Sequence, residues 1–209
     1  MTHYRLHCFK ESGNSYKVAL ALAVAKLPWE KVDVDYFNCQ THQTAWRSEV
    51  NEHGEVPVLE VDGRKLTQSG AILMELSNQE DVFRLEENER AEVLRWLLFD
   101  NHKFTANLAT YRWLRTFAKP APHDAVLDFM HQRVLAAFEI VEKHLGVNSF
   151  IVGNRLTIAD LSMAGYVFYP KEELGLDIES MFPQIWRWMG RVSETQGWKA
   201  PYESLGPSA

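Results

Sequence analysis

An α/β unit with its elements in the order β-α-β then β-β-α, followed by an all-helical unit, is the fold class that three observations predict. Residues 4–8 and 31–36 alternate apolar and polar side chains on either side of an almost wholly apolar run, 18–25, as two strands flanking a buried helix would. Residues 56–61 and 65–67 form two more strand-like runs joined at Asp62-Gly63, and beyond residue 89 the apolar residues recur at helical spacing. The chain has 209 residues, 46% hydrophobic and 24% charged, enough for one large domain or two small ones, each with its own core.

Each element follows from its residues. Tyr4, Leu6 and Cys8 alternate with Arg5 and His7, giving a half-buried first strand. Val18 to Ala25 makes a helix apolar on nearly all sides, with Ser12 to Ser15 supplying turn and cap chemistry before it. Val32, Val34 and Tyr36 alternate with Lys31, Asp33 and Asp35 as a second strand, and a β-α-β connection implies that it lies parallel to the first. Val56 to Val61 and Lys65 to Thr67 make a hairpin about Asp62-Gly63, and a helix follows through Ala71, Ile72, Met74 and Leu76. This is the element order of a thioredoxin-like domain, expected over residues 1–78. Residues 79–88 are polar and acidic and read as a linker, leaving 89–209 as the helical domain. There, a helix from Glu89 to Ala118 is stopped by Pro120 and Pro122, and Asp124 to Leu145 forms another, closed by Gly146. Thr157 and Asp160 have the spacing of a capping box, and a last helix runs through Ile185, Trp188 and Val192.

Charge and cysteine content exclude several function classes. A net charge of −6, with no local Lys/Arg run, argues against nucleic acid or an acidic membrane surface as partner. Met1 to Arg5 lacks the apolar core of a signal peptide and Val18 to Ala25 is too short to span a bilayer, so a cytoplasmic location is expected. Cys8 and Cys39 have no Cys-x-x-Cys spacing, and Cys8 in an alternating strand reads as a small buried apolar residue. His3 and His7 share a strand face but lie about 13 Å apart at strand rise, too far for one metal, and no metal is expected.

Two places carry chemistry. Pro57 cannot donate to a sheet ladder, so it stands at the start or edge of its strand and leaves the backbone beside it free. Gln68-Ser69 precedes an apolar helix whose free N–H groups attract a carboxylate or phosphate. Together they suggest a small anionic ligand held by backbone, such as a carboxylate-bearing peptide. Ser12, between the first strand and the first helix, combines a hydroxyl donor with the positive end of a helix and can stabilise a thiolate; it can equally be a simple helix cap.

Three segments, Ser12-Gly13-Asn14-Ser15-Tyr16-Lys17-Val18, Val56-Pro57 with Gln68-Ser69-Gly70-Ala71-Ile72, and Thr157-Ile158-Ala159-Asp160-Leu161-Ser162, resemble the cytosolic glutathione transferase family in order and over nearly the whole chain. The likeness is to bacterial serine-type members, of the theta, zeta or nu-like kind. It implies glutathione as cosubstrate, a homodimer, and an apolar electrophile as second substrate, with no nucleic acid or membrane partner. By it, Ser12 is the thiolate donor, with Asn14 and Ser15 as neighbouring candidates. Asn14 also resembles an asparagine of nu-like members, which favour disulfide-bond reduction, so Ser12-Gly13-Asn14 supports either chemistry; a non-catalytic binding protein on the same fold is the third reading. Gln68 and Ser69 match the pair that holds the γ-glutamyl group, and Val56-Pro57 matches a cis-proline whose preceding residue pairs by backbone with the cysteinyl part. His42 has the spacing of a histidine near the glycine carboxylate and is otherwise a surface residue. Glu55 departs from the family, where several relatives carry lysine, and an acid there would repel that carboxylate unless it points away. The second substrate is expected against the first long helix of the helical domain, where His102, Phe104, Tyr111 and Trp113, with Arg112 and Phe117, offer aromatic walls or plain core.

Overall fold

The computed structural model describes residues 2–206. They pack as two compact units: one runs up to Arg84 and takes in the segment from Thr195, and the other is Leu85–Glu194.

The first unit is built on a four-stranded sheet in the order β2-β1-β3-β4, with β1 (Tyr4–Cys8), β2 (Trp29–Asp33), β3 (Val58–Val61) and β4 (Arg64–Thr67). β1 and β2 are parallel, joined by α1 (Gly13–Val24) as the crossover connection requires, while β3 runs antiparallel to both β1 and β4. The β3–β4 hairpin turns at Asp62 (φ 48°) and Gly63 (φ 85°), the two consecutive left-handed residues of a tight hairpin turn. Leu6, Val58, Leu59, Leu20 and Ile72 are almost fully buried, each worth about 2 kcal/mol of hydrophobic stabilisation. α3 (Ser69–Gln79) packs beside α1.

Several boundaries differ from the sequence reading. β2 begins at Trp29 and ends at Asp33, and beyond Val34 the chain turns away, with Tyr36 N–H bonded to Val34 O. β3 starts at Val58 because Pro57 has no N–H to give the ladder. The stretch between β2 and β3, which carries no sustained apolar period, contains a 3-10 turn, Gln40–His42, and α2 (Thr44–Glu49). One side chain, Trp46, anchors α2 by packing with Val34 and Val58. The 79–88 stretch includes the end of α3 and a 3-10 turn, Asp81–Phe83, and buries Phe83 and Leu85.

The second unit is helical. α4 (Arg90–Phe99) and α5 (Thr105–Thr116) are the two halves of the long helix expected from Glu89, divided by a π turn over Asp100–Phe104. The fully buried Asp100 carboxylate marks this irregularity, accepting from Ser162 Oγ at 2.6 Å and from Thr105 N at 3.2 Å. α6 (Asp124–Leu145) has the expected bounds, but Gly146 caps it in right-handed helical conformation (φ −64°) and not as a left-handed cap. α7 (Ile158–Val167) begins with the capping box, Thr157 Oγ1 accepting from Ala159 N and Asp160 Oδ2 accepting from Thr157 N. Two single-turn helices, α8 (Lys171–Leu174) and α9 (Ile178–Met181), precede α10 (Pro183–Ser193).

The segment from Thr195 belongs with the first unit, not with the helical one in which the sequence reading placed it. It carries α11 (Pro201–Ser204), which packs on α1. Tyr16 Oη donates to Lys199 O at 2.8 Å and Lys31 Nζ to Gly206 O at 2.8 Å. Gly197, at φ 92°, lies so close to Ala23 that a Cβ there would stand 2.5 Å from the Ala23 carbonyl oxygen. Among the described residues no helix is long and apolar enough to cross a membrane.

Candidate functional site

Sheet register gathers the three motifs of the first unit. His7 stands opposite Val58, and Val58 opposite Thr67. The end of β1, the start of β3 and the end of β4 therefore lie at one end of the sheet. The Ser12 loop, the Val56-Pro57 pair and the Gln68-Ser69 pair all leave the sheet there, although they are separated by more than forty and by about ten residues in sequence.

At the first motif, Ser12 is the N-cap of α1, 4% exposed, and its Oγ accepts from Ser15 N at 3.1 Å. Its carbonyl takes Tyr16 N–H. Helix geometry leaves the N–H groups of Gly13 and Asn14 without an intrahelical acceptor. The Ser12 hydroxyl accepts one hydrogen bond and keeps its own proton to donate, so capping and anion binding are compatible in one residue. Two further polar atoms, Asn14 Oδ1 and Ser15 Oγ, are buried with no hydrogen-bond partner among the described residues. An unmet donor or acceptor of this kind normally costs about 1–3 kcal/mol and calls for a ligand group or water.

At the second motif, the Val56–Pro57 peptide is cis. Buried Asn51 fastens the loop before it: Nδ2 donates to Glu55 O at 2.9 Å and Oδ1 accepts from His53 N at 3.1 Å. Gly54 at φ 70° passes close to Thr41 O and the Arg47 guanidinium, and no Cβ would fit. Asn51 carries no periodic signal and escaped the sequence reading, since only its folded contacts distinguish it from other loop asparagines.

At the third, Gln68 is the N-cap residue of α3 with a left-handed backbone, φ 65° and ψ 110°, and its side chain makes no cap bond. Its Nε2 donates to Glu55 Oε2 at 2.9 Å. Ser69 is buried and begins the helix, so the N–H groups of Ser69, Gly70 and Ala71 have no intrahelical acceptor and face the N-terminal end as a ready anion receptor. His42 is exposed on its 3-10 turn.

Near the Ser12 loop, Phe9, whose carbonyl accepts from Ser12 N at 3.1 Å, stacks on Tyr36 with ring centroids 4.3 Å apart; Phe37, half exposed, meets both rings edge-on. Alternation assigned Tyr36 to a strand, which hid this cluster. Cys8 is fully buried beneath the site, and burial pushes its thiol up to about 12, so it is protonated at neutral pH.

The four candidates of the helical unit separate into different surroundings. Phe104 is a core residue, 1% exposed and stacked on Phe138 at 4.6 Å. Tyr111 is buried against His131, Trp113 is partly exposed beside Phe117, and His102 is exposed. Arg112 is buried too, donating to Glu173 Oε2 through Nε at 3.0 Å with its guanidinium 3.9 Å above the Tyr169 ring. Among the described residues no group of three or more His, Cys, Asp and Glu could hold a metal ion.

The chain matches the glutathione S-transferase N-terminal domain over residues 4–76 and the glutathione S-transferase C-terminal domain over 104–195. It is 26% identical to glutathione S-transferase 2 of Schizosaccharomyces pombe, the match covering 98% of this chain and 97% of the other. Among solved structures it resembles a possible glutathione S-transferase from Rhodopseudomonas palustris (31% identity, 95% and 89% coverage, TM-score 0.86). A glutathione S-transferase from Pseudomonas fluorescens is equally similar (30% identity, 95% and 98% coverage, TM-score 0.86). With a four-stranded mixed sheet, a helical unit after it, and both family domains matched in order, the chain belongs to the glutathione S-transferase family and is a transferase.

Proposed function

We propose that the protein binds glutathione at the sheet end described above and joins the glutathionyl group, through its thiolate sulfur, to an apolar electrophile. The observation that carries this reading is Ser12, whose Oγ is oriented by Ser15 N–H and keeps a proton to donate, at a helix start where Asn14 Oδ1 and Ser15 Oγ are buried and, among the described residues, unpaired. Backbone N–H groups at the start of α3, with Ser69, receive the γ-glutamyl carboxylate, Val56 pairs with the cysteinyl backbone, and Ser12 donates to the sulfur. Stabilising the thiolate by about two pKa units takes roughly 2.7 kcal/mol, within reach of one charge-assisted hydrogen bond and a helix N-terminus. The thiolate then forms the new carbon–sulfur bond as the electrophile's leaving group departs or its π-bond accepts the electron pair. A homodimer, His42 near the glycine carboxylate, and the exposed His102 and partly exposed Trp113 beside the second substrate, with Tyr111 buried behind them, complete the reading.

The experiment is a pH titration of the ultraviolet absorbance of bound glutathione in wild type and Ser12→Ala, with conjugation rates alongside. The variant should retain glutathione affinity while its bound thiol pKa rises by about 1.5 units and turnover near neutral pH falls by about 30-fold, the equivalent of one charge-assisted bond of about 2 kcal/mol. An unchanged rate in the variant would remove Ser12 from this role.

Asn14 favours a second reading, since its buried Oδ1, unpaired among the described residues, lies two residues beyond the cap, where disulfide-reducing relatives are expected to carry asparagine. In that chemistry the thiolate attacks a small disulfide, releasing one thiolate and leaving a mixed disulfide that a second glutathione resolves. Turnover of a small disulfide exceeding that of aryl halides, and lost in Asn14→Ala, would select it.

A further inference from the structure

We propose that Glu55 is a positioning residue which, through Gln68, gives the site its preference for the free α-ammonium of a γ-glutamyl thiol. The inference rests on the glutathione reading above and adds a residue to it.

Two ends of one ligand group must be met at the start of α3. The α-carbon of a γ-glutamyl group bears a carboxylate and an ammonium side by side. The free N–H groups of Ser69, Gly70 and Ala71 suit the first and repel the second. Gln68, at the same helix end, is neutral and brings no charge of its own. Glu55 does. Its Oε2 accepts from Gln68 Nε2 at 2.9 Å, and among the described residues it forms no ion pair with Lys, Arg or His. The carboxylate therefore stands next to the helix end with no ion-pair partner among the described residues.

The hydrogen bond also settles which way the Gln68 amide faces. Only its NH2 can donate to a carboxylate, so Oε1 is on the other branch of the amide, free to accept an N–H. The left-handed backbone at Gln68 is the conformation in which the side chain meets Glu55 while the Gln68 carbonyl still accepts Ile72 N–H at 3.0 Å. Register brings the partners together: Val58 pairs with Thr67, which sets the residues before β3 beside those after β4. Tyr36 lies at the same end of the sheet, and its hydroxyl is pushed up first by burial and second by the nearby Glu55 carboxylate. An ammonium placed at Gln68 Oε1 would thus meet an acceptor with a carboxylate directly behind it. The same contact turns the Glu55 carboxylate toward the γ-glutamyl end.

The test measures affinity for glutathione and for its analogue lacking the α-amino group, glutaryl-cysteinyl-glycine, in wild type, Glu55→Gln and Glu55→Lys. Glu55→Gln keeps an acceptor for Gln68 Nε2 and removes only the charge. Wild type should prefer glutathione by about fivefold, the upper range of an exposed charge pair, and this preference should shrink with added salt. In Glu55→Gln the ratio should fall below about twofold with analogue affinity unchanged, and in Glu55→Lys the analogue should bind at least as well as glutathione. A ratio that stays the same in Glu55→Gln, or an equal loss for both ligands, would overturn the assignment to Glu55 while leaving glutathione binding intact. Wild type that binds neither ligand would instead overturn the parent reading.

Discussion

At the scale of single residues, the two cysteines are chemically distinct because of burial alone. Cys39 is exposed, whereas Cys8 lies on the inner face of β1 with its thiol pushed from near 9 up to about 12. One equivalent of thiol should react with a maleimide in the native protein at pH 7, and a second only in denaturant; two fast equivalents in the native state would contradict the burial. The same shift has a sign for stability. A thiol protonated in the folded chain but ionised in the unfolded one above about pH 9 contributes stability that is fully present below that pH and lost as the pH rises toward 12. Tyr16, raised by burial, acts in the same direction. Denaturant midpoints measured from pH 7 to 11 should therefore decline at the alkaline end. For Ser12, sequence showed the hydroxyl and its place before a helix but left cap and thiolate donor as alternatives. The observed bond from Ser15 N shows the cap, and it leaves the hydroxyl its own proton to donate.

At the scale of elements, the start of α7 depends on one carboxylate. Asp160 is fully buried and accepts four hydrogen bonds: Ile151 N at 2.8 Å and Trp188 Nε1 at 2.9 Å on Oδ1, and Thr157 N at 2.9 Å and Thr157 Oγ1 at 3.0 Å on Oδ2. Burial pushes its pKa up and these donors oppose the shift. The Thr-x-x-Asp spacing revealed the bond from Thr157 N; the Thr157 Oγ1 bond is an addition to that pattern, and the Ile151 and Trp188 contacts come from elsewhere in the chain and had no sequence signal. In Asp160→Asn one oxygen becomes an NH2 facing two donors whichever way the amide turns. A loss of about 3 kcal/mol is expected, read as a lower urea midpoint with an unchanged slope. A midpoint equal to wild type would show that the network is not what holds this helix start. The π turn within the long helix was equally hidden, because Asp100 reads as an ordinary polar position until Ser162, 62 residues later, is seen to donate to it.

At the scale of the molecule, the segment from Thr195 is part of the N-terminal unit. It follows the helical unit in sequence but packs on α1, tied by Tyr16 to Lys199 and Lys31 to Gly206. A chain ending at Glu194 should lose hydrogen-exchange protection in α1 and β2 while α6 keeps its protection. Gly197→Ala, which forces a Cβ against the Ala23 carbonyl at a left-handed φ, should weaken the same region to a smaller degree. Equal protection of α1 in the full and shortened chains would show that the tail adds nothing to this unit.

What the sequence determined by itself was what local chemistry determines. Alternation marked the first strand, the absent N–H of Pro57 limited the third, Asp62-Gly63 set the hairpin, and Thr157 with Asp160 started a helix, each through groups within a few residues of one another. The family motifs pointed to residues that fold together at one end of the sheet. The tertiary structure decided what depends on distant partners. Trp46 stabilises α2 from a stretch without apolar periodicity, and the tail crosses back to the first unit through contacts more than 170 residues apart. Glu55, an unfavourable departure when read alone, meets Gln68 because β3 and β4 pair in one particular register. Propensity and spacing act over one or two turns of chain; the neighbour of a side chain across a sheet or between packed elements is set only when the whole core closes.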